Sequence, residues 1–188
     1  MPDRASTAGA DARPDGRAWT GLVVPAEPVP RGVASFRRRH IHHPGAAVPL
    51  HTTVATPFLP LSDIDEAVLA RLRAAAARVP SFDYLAGAIC AFPTTSVLWL
   101  APSPARPFEE VVDAIRAAFP EVEPAGAYPT FHLTLAMGGG DAEMAAALGD
   151  FREGFEARLP FRFRADRLDL YAEVGSGFRR LARVPFAP

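Results

Sequence analysis

Two short segments of this 188-residue sequence repeat the pattern H-x-T-x-A. One runs from His51 to Ala55 and the other from His132 to Ala136, so the two histidines lie 81 positions apart. Alternate side chains of a β-strand point to the same face, which predicts that each histidine shares a face with the threonine two residues later. The other face of the second segment, "FHLTLAM", is apolar and is therefore predicted to contact the core.

An imidazole and a hydroxyl group about 7 Å apart on one face of a strand can reach two oxygens of a single phosphate. Because histidine changes charge near neutral pH, one neutral ring can accept a proton while a second, charged ring donates one. Thr53 and Thr134 can donate hydrogen bonds to the non-bridging oxygens. One H-x-T triplet would be weak evidence, but two copies in corresponding places predict a metal-free site for phosphodiester chemistry, with His51 and His132 as its catalytic pair.

The elements that must position these residues are predicted from the hydrophobic patterns. Strands are predicted at 20–24, 48–58 and 131–137, in a hairpin of 82–92 and 95–101 that turns near Pro93-Thr94, and in a second hairpin of 161–174 and 177–186. Helices are predicted at 62–79, 107–119 and 141–157, and a short basic segment at 31–40 is compatible with a helix. Ser62 or Asp63 is the predicted N-cap of the helix at 62–79, and Asp141 that of the last helix. This order of elements predicts an α+β fold built as two similar halves.

The composition limits the possible classes of function. The net charge is −1, which argues against attraction of the whole surface to nucleic acid or membrane. Cys90 is the only cysteine, so an intrachain disulfide is impossible, and we expect a cytoplasmic location and a buried thiol. No stretch approaches the roughly 18 apolar residues of a membrane span. Residues 1–18 are polar and rich in proline, glycine and alanine, which predicts a disordered leader before a single domain at 19–188.

The sharpest cluster of positive charge is "RRRHIHH" at residues 37–43. It would form either a rim that attracts nucleotide phosphates, with salt-sensitive binding, or a solvated helix end and loop. His40, His42 and His43 also suggest a metal site. No cysteine or acidic residue lies near them in the sequence, so we predict neither a metal nor another cofactor.

Two aromatic residues, Phe58 and Tyr128, lie close to the H-x-T segments. They are candidates for stacking on a nucleotide base, although aromatic side chains in such places more often pack in a core or a lid. Trp99 is interpreted as a packing residue. The glycines at 138–140 could hold a phosphate at a helix N-terminus, but a plain turn between strand and helix is the more ordinary interpretation.

At the two H-x-T segments the sequence resembles the 2H phosphoesterase superfamily, which includes the 2′-5′ RNA ligases and cyclic nucleotide phosphodiesterases. That family is marked by two H-x-[T/S]-x motifs with a spacing like the one here, matched by "HTTV" and "HLTL". The stretches "VPLHTTVATPFLP", "VLWLAP" and "YPTFHLTLA" also resemble its stand-alone bacterial branch, labelled 2′-5′ RNA ligase family protein. The resemblance extends over residues 19 to 186.

The resemblance implies a bilobal fold with two-fold pseudo-symmetry, in which each lobe is an antiparallel sheet with helices outside and a central cleft lies between the lobes. It implies a monomeric, metal-independent phosphodiesterase, a hydrolase of 2′,3′-cyclic phosphate nucleotides or RNA ends, with formation of 2′-5′ linkages as a further activity. By position, His51 and His132 are the general acid and base, in an order that the sequence does not decide, and Thr53 and Thr134 bind the phosphate.

The chain departs from several relatives after the second motif. Those relatives have an arginine or lysine there, whereas Met137 and Gly138 follow in this sequence. Substrate charge would have to be met elsewhere, which favours simple hydrolysis of a cyclic phosphate over ligation of RNA ends.

Two other interpretations remain open on the sequence alone. In the first, the protein is a catalytically silent nucleotide- or RNA-binding module that uses the same cleft, although the intact H-x-T pairs argue against it. In the second, it is a small α+β domain whose histidines are structural. Binding without product release would favour the first, and histidine rings that do not respond to a nucleotide phosphate would favour the second.

Overall fold

The computed structural model of the protein describes residues 20–92, 95–122 and 128–188. The predicted leader at 1–18 and the predicted turn at Pro93-Thr94 lie outside the described residues. Within these ranges the chain forms eight strands and four α-helices. The helices are α1 (Val33–His40), α2 (Glu66–Ala76), α3 (Arg106–Ala118) and α4 (Asp141–Phe155).

The eight strands of the described residues form one antiparallel sheet. They are β1 (Thr20–Pro25), β2 (His51–Ala55), β3 (Phe82–Phe92), β4 (Val97–Ser103), β5 (Leu133–Met137), β6 (Phe161–Ala165), β7 (Arg167–Val174) and β8 (Gly177–Pro185). Their order across the sheet is β6-β3-β4-β5-β2-β1-β7-β8. The two H-x-T segments therefore lie at the two central strands, since β2 begins at His51 and β5 begins one residue after His132.

The sheet consists of two four-stranded halves that meet between β2 and β5. At this seam a single register pair, Thr52 with Leu133, joins the two strands. By contrast, β1 pairs with β2 at four positions, and β4 pairs with β5 at four positions. A strand, a helix and a strand with an H-x-T segment follow one another in each half, as β1-α1-β2 and β4-α3-β5. The predicted α+β fold of two antiparallel halves is confirmed, and the structure adds that the halves form one continuous sheet.

One face of the sheet and all four helices enclose the hydrophobic core. Phe36, Leu72, Phe108 and Phe151, one from each helix, are fully buried together with Leu133 of β5. Burying a side chain of this size contributes roughly 1.5–3 kcal/mol. This packing fixes the sheet from the helix side, so the opposite face is the one available for a site.

The prediction of a single strand at 161–174 is wrong, because the chain divides it between the two halves. β6 pairs with β3 at one edge of the sheet, whereas β7 pairs with β1 in the other half. The alternation of buried side chains changes phase at the break: Phe161 and Phe163 are buried before Asp166, and Leu168 and Leu170 after it. The predicted pairing of the last two strands is confirmed, with a turn between Val174 and Gly177.

The helices begin at different residues from those predicted. Asp65, and neither Ser62 nor Asp63, is the N-cap of α2, and its side chain accepts a hydrogen bond of 2.8 Å from the Val68 amide. Residues 61–63 form a short 3-10 turn instead. Asp141 is the first helical residue of α4, because Gly140 occupies its N-cap position. A carboxylate near a helix start is favourable in both positions, which is why the sequence pattern did not separate them.

We expect Asp65→Ala to lower the free energy of unfolding by about 1 kcal/mol, because it removes the side-chain cap of α2. Asp63→Ala is the matched control, since the Asp63 carboxylate accepts a hydrogen bond from Ser62 Oγ of its own turn and does not cap α2. Urea denaturation of both variants measures the difference. Equal destabilisation by the two substitutions would show that Asp65 is not the effective cap.

Candidate active site

The four predicted polar residues of the H-x-T segments lie on one face of the sheet, called here the site face. The register pair at the seam, Thr52 with Leu133, is fully buried on the core face. Adjacent residues on each strand therefore point away from the core. Extending the register by one residue places His51 across from Thr134, and Thr53 across from His132. Opposed side chains on such strands are about 5 Å apart and diagonal ones roughly 7–8 Å, so all four can surround one phosphate group.

The two imidazole rings make the same backbone contact in both segments. His51 Nδ1 lies 2.6 Å from the Pro49 carbonyl oxygen, and His132 Nδ1 lies 2.7 Å from the Thr130 carbonyl oxygen. A carbonyl oxygen only accepts hydrogen bonds, so Nδ1 must carry the proton in both rings. This assignment leaves Nε2 of each neutral ring as the basic nitrogen, available for a proton of the substrate or water.

Burial lowers the pKa of His51 to about 4. The hydrogen bond to Pro49 opposes this change in pKa, whereas the positive charge of Arg37 adds to it and that of His132 adds less. His51 is therefore neutral at pH 7, which is the state that a general base requires.

An aromatic pair lies against His132 on the same side of the seam. The His132 ring meets Phe92 edge-on at a centroid distance of 5.2 Å and Trp99 at 5.8 Å. Phe92 and Trp99 stack on each other at 4.9 Å, and Trp99 is paired with Thr134 across β4 and β5. Trp99 therefore packs, as predicted, but it does so on the site face beside the second motif.

Arg37 is a site neighbour that the sequence placed in the basic cluster at 37–43 without distinguishing it from Arg38 and Arg39. Its side chain is only 6 % exposed, whereas Arg38 and Arg39, in the same basic cluster, are exposed. Arg37 Nε donates to the Thr134 carbonyl oxygen at 3.0 Å. The spacing of Val33, Phe36 and Arg37 on α1 is the signal that could have placed it on the buried side of the helix.

The two aromatic residues predicted to stack on a base lie away from the seam. Phe58 is 5 % exposed and packs edge-on against Phe119 in the core at 4.9 Å, so a base cannot reach it. The stacking interpretation of Phe58 is therefore replaced by core packing. Tyr128 is 39 % exposed, but its hydroxyl donates to the Asp113 carboxylate of α3, with the Arg116 guanidinium 5.0 Å from its ring.

The glycines after β5 form a turn into α4, and a side chain of the helix already binds the backbone amide at its start. Gly138 and Gly139 have φ angles of +81° and +84°, in the region that favours glycine. The Glu143 carboxylate accepts a hydrogen bond from the Gly140 amide at 3.1 Å. A negatively charged group thus already occupies the start of α4, which disfavours an anion there.

The basic cluster has no metal-binding geometry in the part of the chain that is described. No group of three or more His, Cys, Asp or Glu side chains among the described residues could hold a metal ion. Within the cluster, His40 Nε2 lies 3.2 Å from an Asp150 carboxylate oxygen, and His43 Nδ1 accepts a hydrogen bond from the Gly45 amide. None of the helices described is long and apolar enough to cross a membrane.

Comparisons with known proteins identify a matching family and a similar fold. A model of the 2′-5′ RNA ligase superfamily matches residues 24–177 of the chain. A search of curated proteins found no match. The structure of E. coli LigT complexed with 3′-AMP is similar over 92 % of this chain and 99 % of that chain, with a TM-score of 0.59 and 16 % sequence identity.

Two further solved structures show the same likeness. E. coli LigT complexed with phosphate is similar over 92 % of this chain and 99 % of that chain, with a TM-score of 0.54 and 17 % identity. TT0787 of Thermus thermophilus is similar over 89 % of this chain and 97 % of that chain, with a TM-score of 0.52 and 14 % identity. At these identities the solved structures show a shared fold.

The lowered pKa of His51 predicts a loss of stability on acidification. Between pH 6.5 and 4 the unfolded state binds a proton at this residue that the folded state does not, so the free energy of unfolding falls as the pH is lowered through that window. The contribution is on the order of 3 kcal/mol and is fully present above about pH 6.5. Denaturation at a series of pH values measures it.

The control for this measurement is His51→Asn, whose side-chain amide can still donate to the Pro49 carbonyl. Carboxylates contribute to acid unfolding equally in both proteins, so the informative quantity is the difference between them. Parallel loss of stability in wild type and variant between pH 6.5 and 4 would show that His51 is not held neutral by burial.

Proposed function

The chain belongs to the 2′-5′ RNA ligase superfamily, and on that premise we propose that it is a metal-independent phosphodiesterase that opens 2′,3′-cyclic phosphates on nucleotides or RNA ends. The observation that carries the proposal is the pair of histidines at the seam, each with Nδ1 bound to a backbone carbonyl and each neighboured by a threonine of the other strand. This arrangement supplies two proton-transfer groups and two hydroxyl donors around one anion.

The reaction proceeds by attack of water on the cyclic phosphate. His51, neutral at pH 7, accepts a proton from the water at Nε2 while the water oxygen bonds to phosphorus. The bond from phosphorus to the 2′ or 3′ oxygen breaks, and His132, in its charged form, protonates the leaving oxygen. The hydroxyls of Thr53 and Thr134 donate to the non-bridging oxygens and stabilise the charge that develops on them.

The assignment of His51 as base follows from its surroundings. Burial and the nearby charge of Arg37 favour the neutral ring, which accepts a proton but has none to give at Nε2. The acid role then falls to His132. After one turnover His51 is charged and His132 is neutral. His51 then releases its proton to solvent and His132 takes one up, which restores the starting state.

Support for a nucleotide substrate comes from the similar structures. E. coli LigT is seen in complex with 3′-AMP and with phosphate. A 3′-phosphate is one of the two products that opening of a 2′,3′-cyclic phosphate yields. Phe92, which is half-buried, stacks on the buried Trp99 and lies beside His132, is an aromatic side chain in the described part of the site on which a base of such a nucleotide can stack. Met137 and Gly138 after the second motif favour hydrolysis over ligation.

We expect His51→Ala and His132→Ala each to lower kcat for a 2′,3′-cyclic nucleotide by about 100- to 10,000-fold, because each removes one proton transfer. Assays of 2′,3′-cyclic nucleotides and short RNAs in the presence of EDTA measure this effect. His42→Ala is the matched control, since His42 is exposed and its hydrogen bond to the Met137 carbonyl comes from the backbone amide, which alanine retains. Circular dichroism establishes that the variants fold.

Three outcomes would contradict the proposal. Equal activity of wild type and both variants would remove the histidines from the reaction. Loss of wild-type activity in EDTA would show that a metal is required. Tight binding of cyclic nucleotides or RNA ends with no product released by the wild type would instead favour a silent binding module.

The lowered pKa of His51 also predicts the acid limb of the pH profile. Because kcat/KM reports the ionisation of the free enzyme, it should stay high from neutral pH down to about pH 4 and fall below it, when the base becomes protonated. Initial rates at low substrate concentration, measured where the protein remains folded, test this. An acid limb with its midpoint near pH 6.5 would show that His51 is an unperturbed histidine or is not the base.

A further inference from the structure

The seam between the two halves lacks the ladder of hydrogen bonds that joins the other neighbouring strands. β2 and β5 share one register pair, so their separation beyond that pair must be fixed by something else. α1 supplies a candidate, because its last turn contacts β5 and the chain then continues toward β2. His42 donates its backbone amide to the Met137 carbonyl at 3.0 Å, which brings the end of α1 against the end of β5.

The Arg37 guanidinium bridges the two motif-bearing segments at this place. Nε donates to the Thr134 carbonyl oxygen of β5 at 3.0 Å, and Nη1 donates to the Val48 carbonyl oxygen at 3.2 Å, three residues before His51. The guanidinium is planar and rigid, so two bonds from one group fix both the distance and the angle between their acceptors. A lysine, with one nitrogen on a flexible chain, could not reproduce this geometry.

Arg37 is a charged side chain that is almost fully buried. The side chain is 6 % exposed, and its hydrogen-bond partners among the described residues are carbonyl oxygens with no carboxylate among them. Burial lowers the pKa of Arg37 to about 10, which still leaves it charged at neutral pH. A buried cation without a counter-ion is costly, and an anion bound nearby offsets that cost.

The positive charge of Arg37 acts on the His51 ring. Among the described residues, Arg37 of α1 and His132, one residue before β5, are the charged or titratable groups that act on it, and both lower its pKa. From β1 the residues paired with the first motif on the site face are Val23 and Pro25, which carry no charge.

We propose that Arg37 is the positioning residue of the site: it holds the two H-x-T segments at a fixed separation and supplies a standing positive charge that favours the binding of an anionic phosphate. The proposal rests on the proposed function, because it concerns the same phosphate-binding site between the two H-x-T segments. It differs from a purely structural role in one respect: the guanidinium charge acts on the ionisation of His51 and on anion binding.

The test uses two substitutions that separate geometry from charge. Arg37→Gln removes the charge and leaves one amide donor, whereas Arg37→Lys keeps the charge but loses the planar pair of donors. Arg38→Gln is the matched control, one residue along the same helix, because Arg38 is exposed and its side chain donates to Ser35 Oγ of its own helix. Circular dichroism and thermal unfolding establish which variants fold.

The readouts are the titration of the His51 ring by NMR, the affinity for inorganic phosphate from the same spectra, and turnover of a 2′,3′-cyclic nucleotide. In Arg37→Gln we expect the His51 midpoint to rise and phosphate affinity to fall about tenfold or more, since a nearby charge is lost. In Arg37→Lys we expect the His51 midpoint to stay near its wild-type value and kcat to fall about 10- to 100-fold, since a small misplacement of reacting groups is costly. Arg38→Gln should match the wild type.

A folded Arg37→Gln protein with the wild-type His51 midpoint and phosphate affinity would overturn the proposal. If that variant does not fold, Arg37→Lys decides, and wild-type turnover in it would overturn the positioning role. A measurement on the wild type needs no variant: if inorganic phosphate binds without moving the Arg37 Nε–H signal, the guanidinium does not serve the anion site. Ring titration and phosphate affinity require no turnover, so a protein that opens no cyclic phosphate would end the proposed function and leave the role of Arg37 to be judged separately.

Discussion

Two histidines can act on one phosphorus atom only if their rings are held about one phosphate's width apart and face the same way. In this protein a single register pair between the two central strands sets which side chains of the two H-x-T segments share a face. Thr52 and Leu133 are buried in the core, and a slip of one strand by one residue would turn its H-x-T segment inward, bury the polar groups of that segment and separate them from those of the other. The orientation of the site therefore depends on the burial of the opposite face, and the helices that cover that face stabilise the chemistry indirectly.

The sequence predicted the face shared by the four polar residues because that property is local. Alternation within five residues decides which side chains point together, and an apolar back face decides which way they point. The hydrogen bonds of Arg37 could not be predicted, because they are not local: its two acceptors are 11 and 97 residues away along the chain. Its burial was nevertheless foreshadowed by the helical spacing from Val33 and Phe36. Phe58 was misjudged because closeness in sequence to the first motif says nothing about the core position that Phe119 gives it.

Burial has different consequences for the two basic groups beside the seam. It lowers the pKa of His51 to about 4, so the ring becomes a neutral proton acceptor at physiological pH. It also lowers the pKa of Arg37, but to about 10, so the guanidinium stays charged. The ordinary pKa values of histidine and arginine differ by several units, so burial has opposite outcomes for the two side chains at neutral pH. His51 becomes a neutral proton acceptor, whereas Arg37 keeps its positive charge and disfavours protonation of His51.

The division of residues 161–185 between the two halves has a consequence for how the protein is made. β6 completes the half that contains β3, β4 and β5, whereas β7 and β8 complete the half that contains β1 and β2. During synthesis neither half can close its sheet until this final stretch has left the ribosome, so earlier strands wait with unpaired edges. The same C-terminal segment therefore completes both halves of the sheet, so the folding of one half is coupled to the folding of the other. A half of the sheet on its own would lack at least one of its strands.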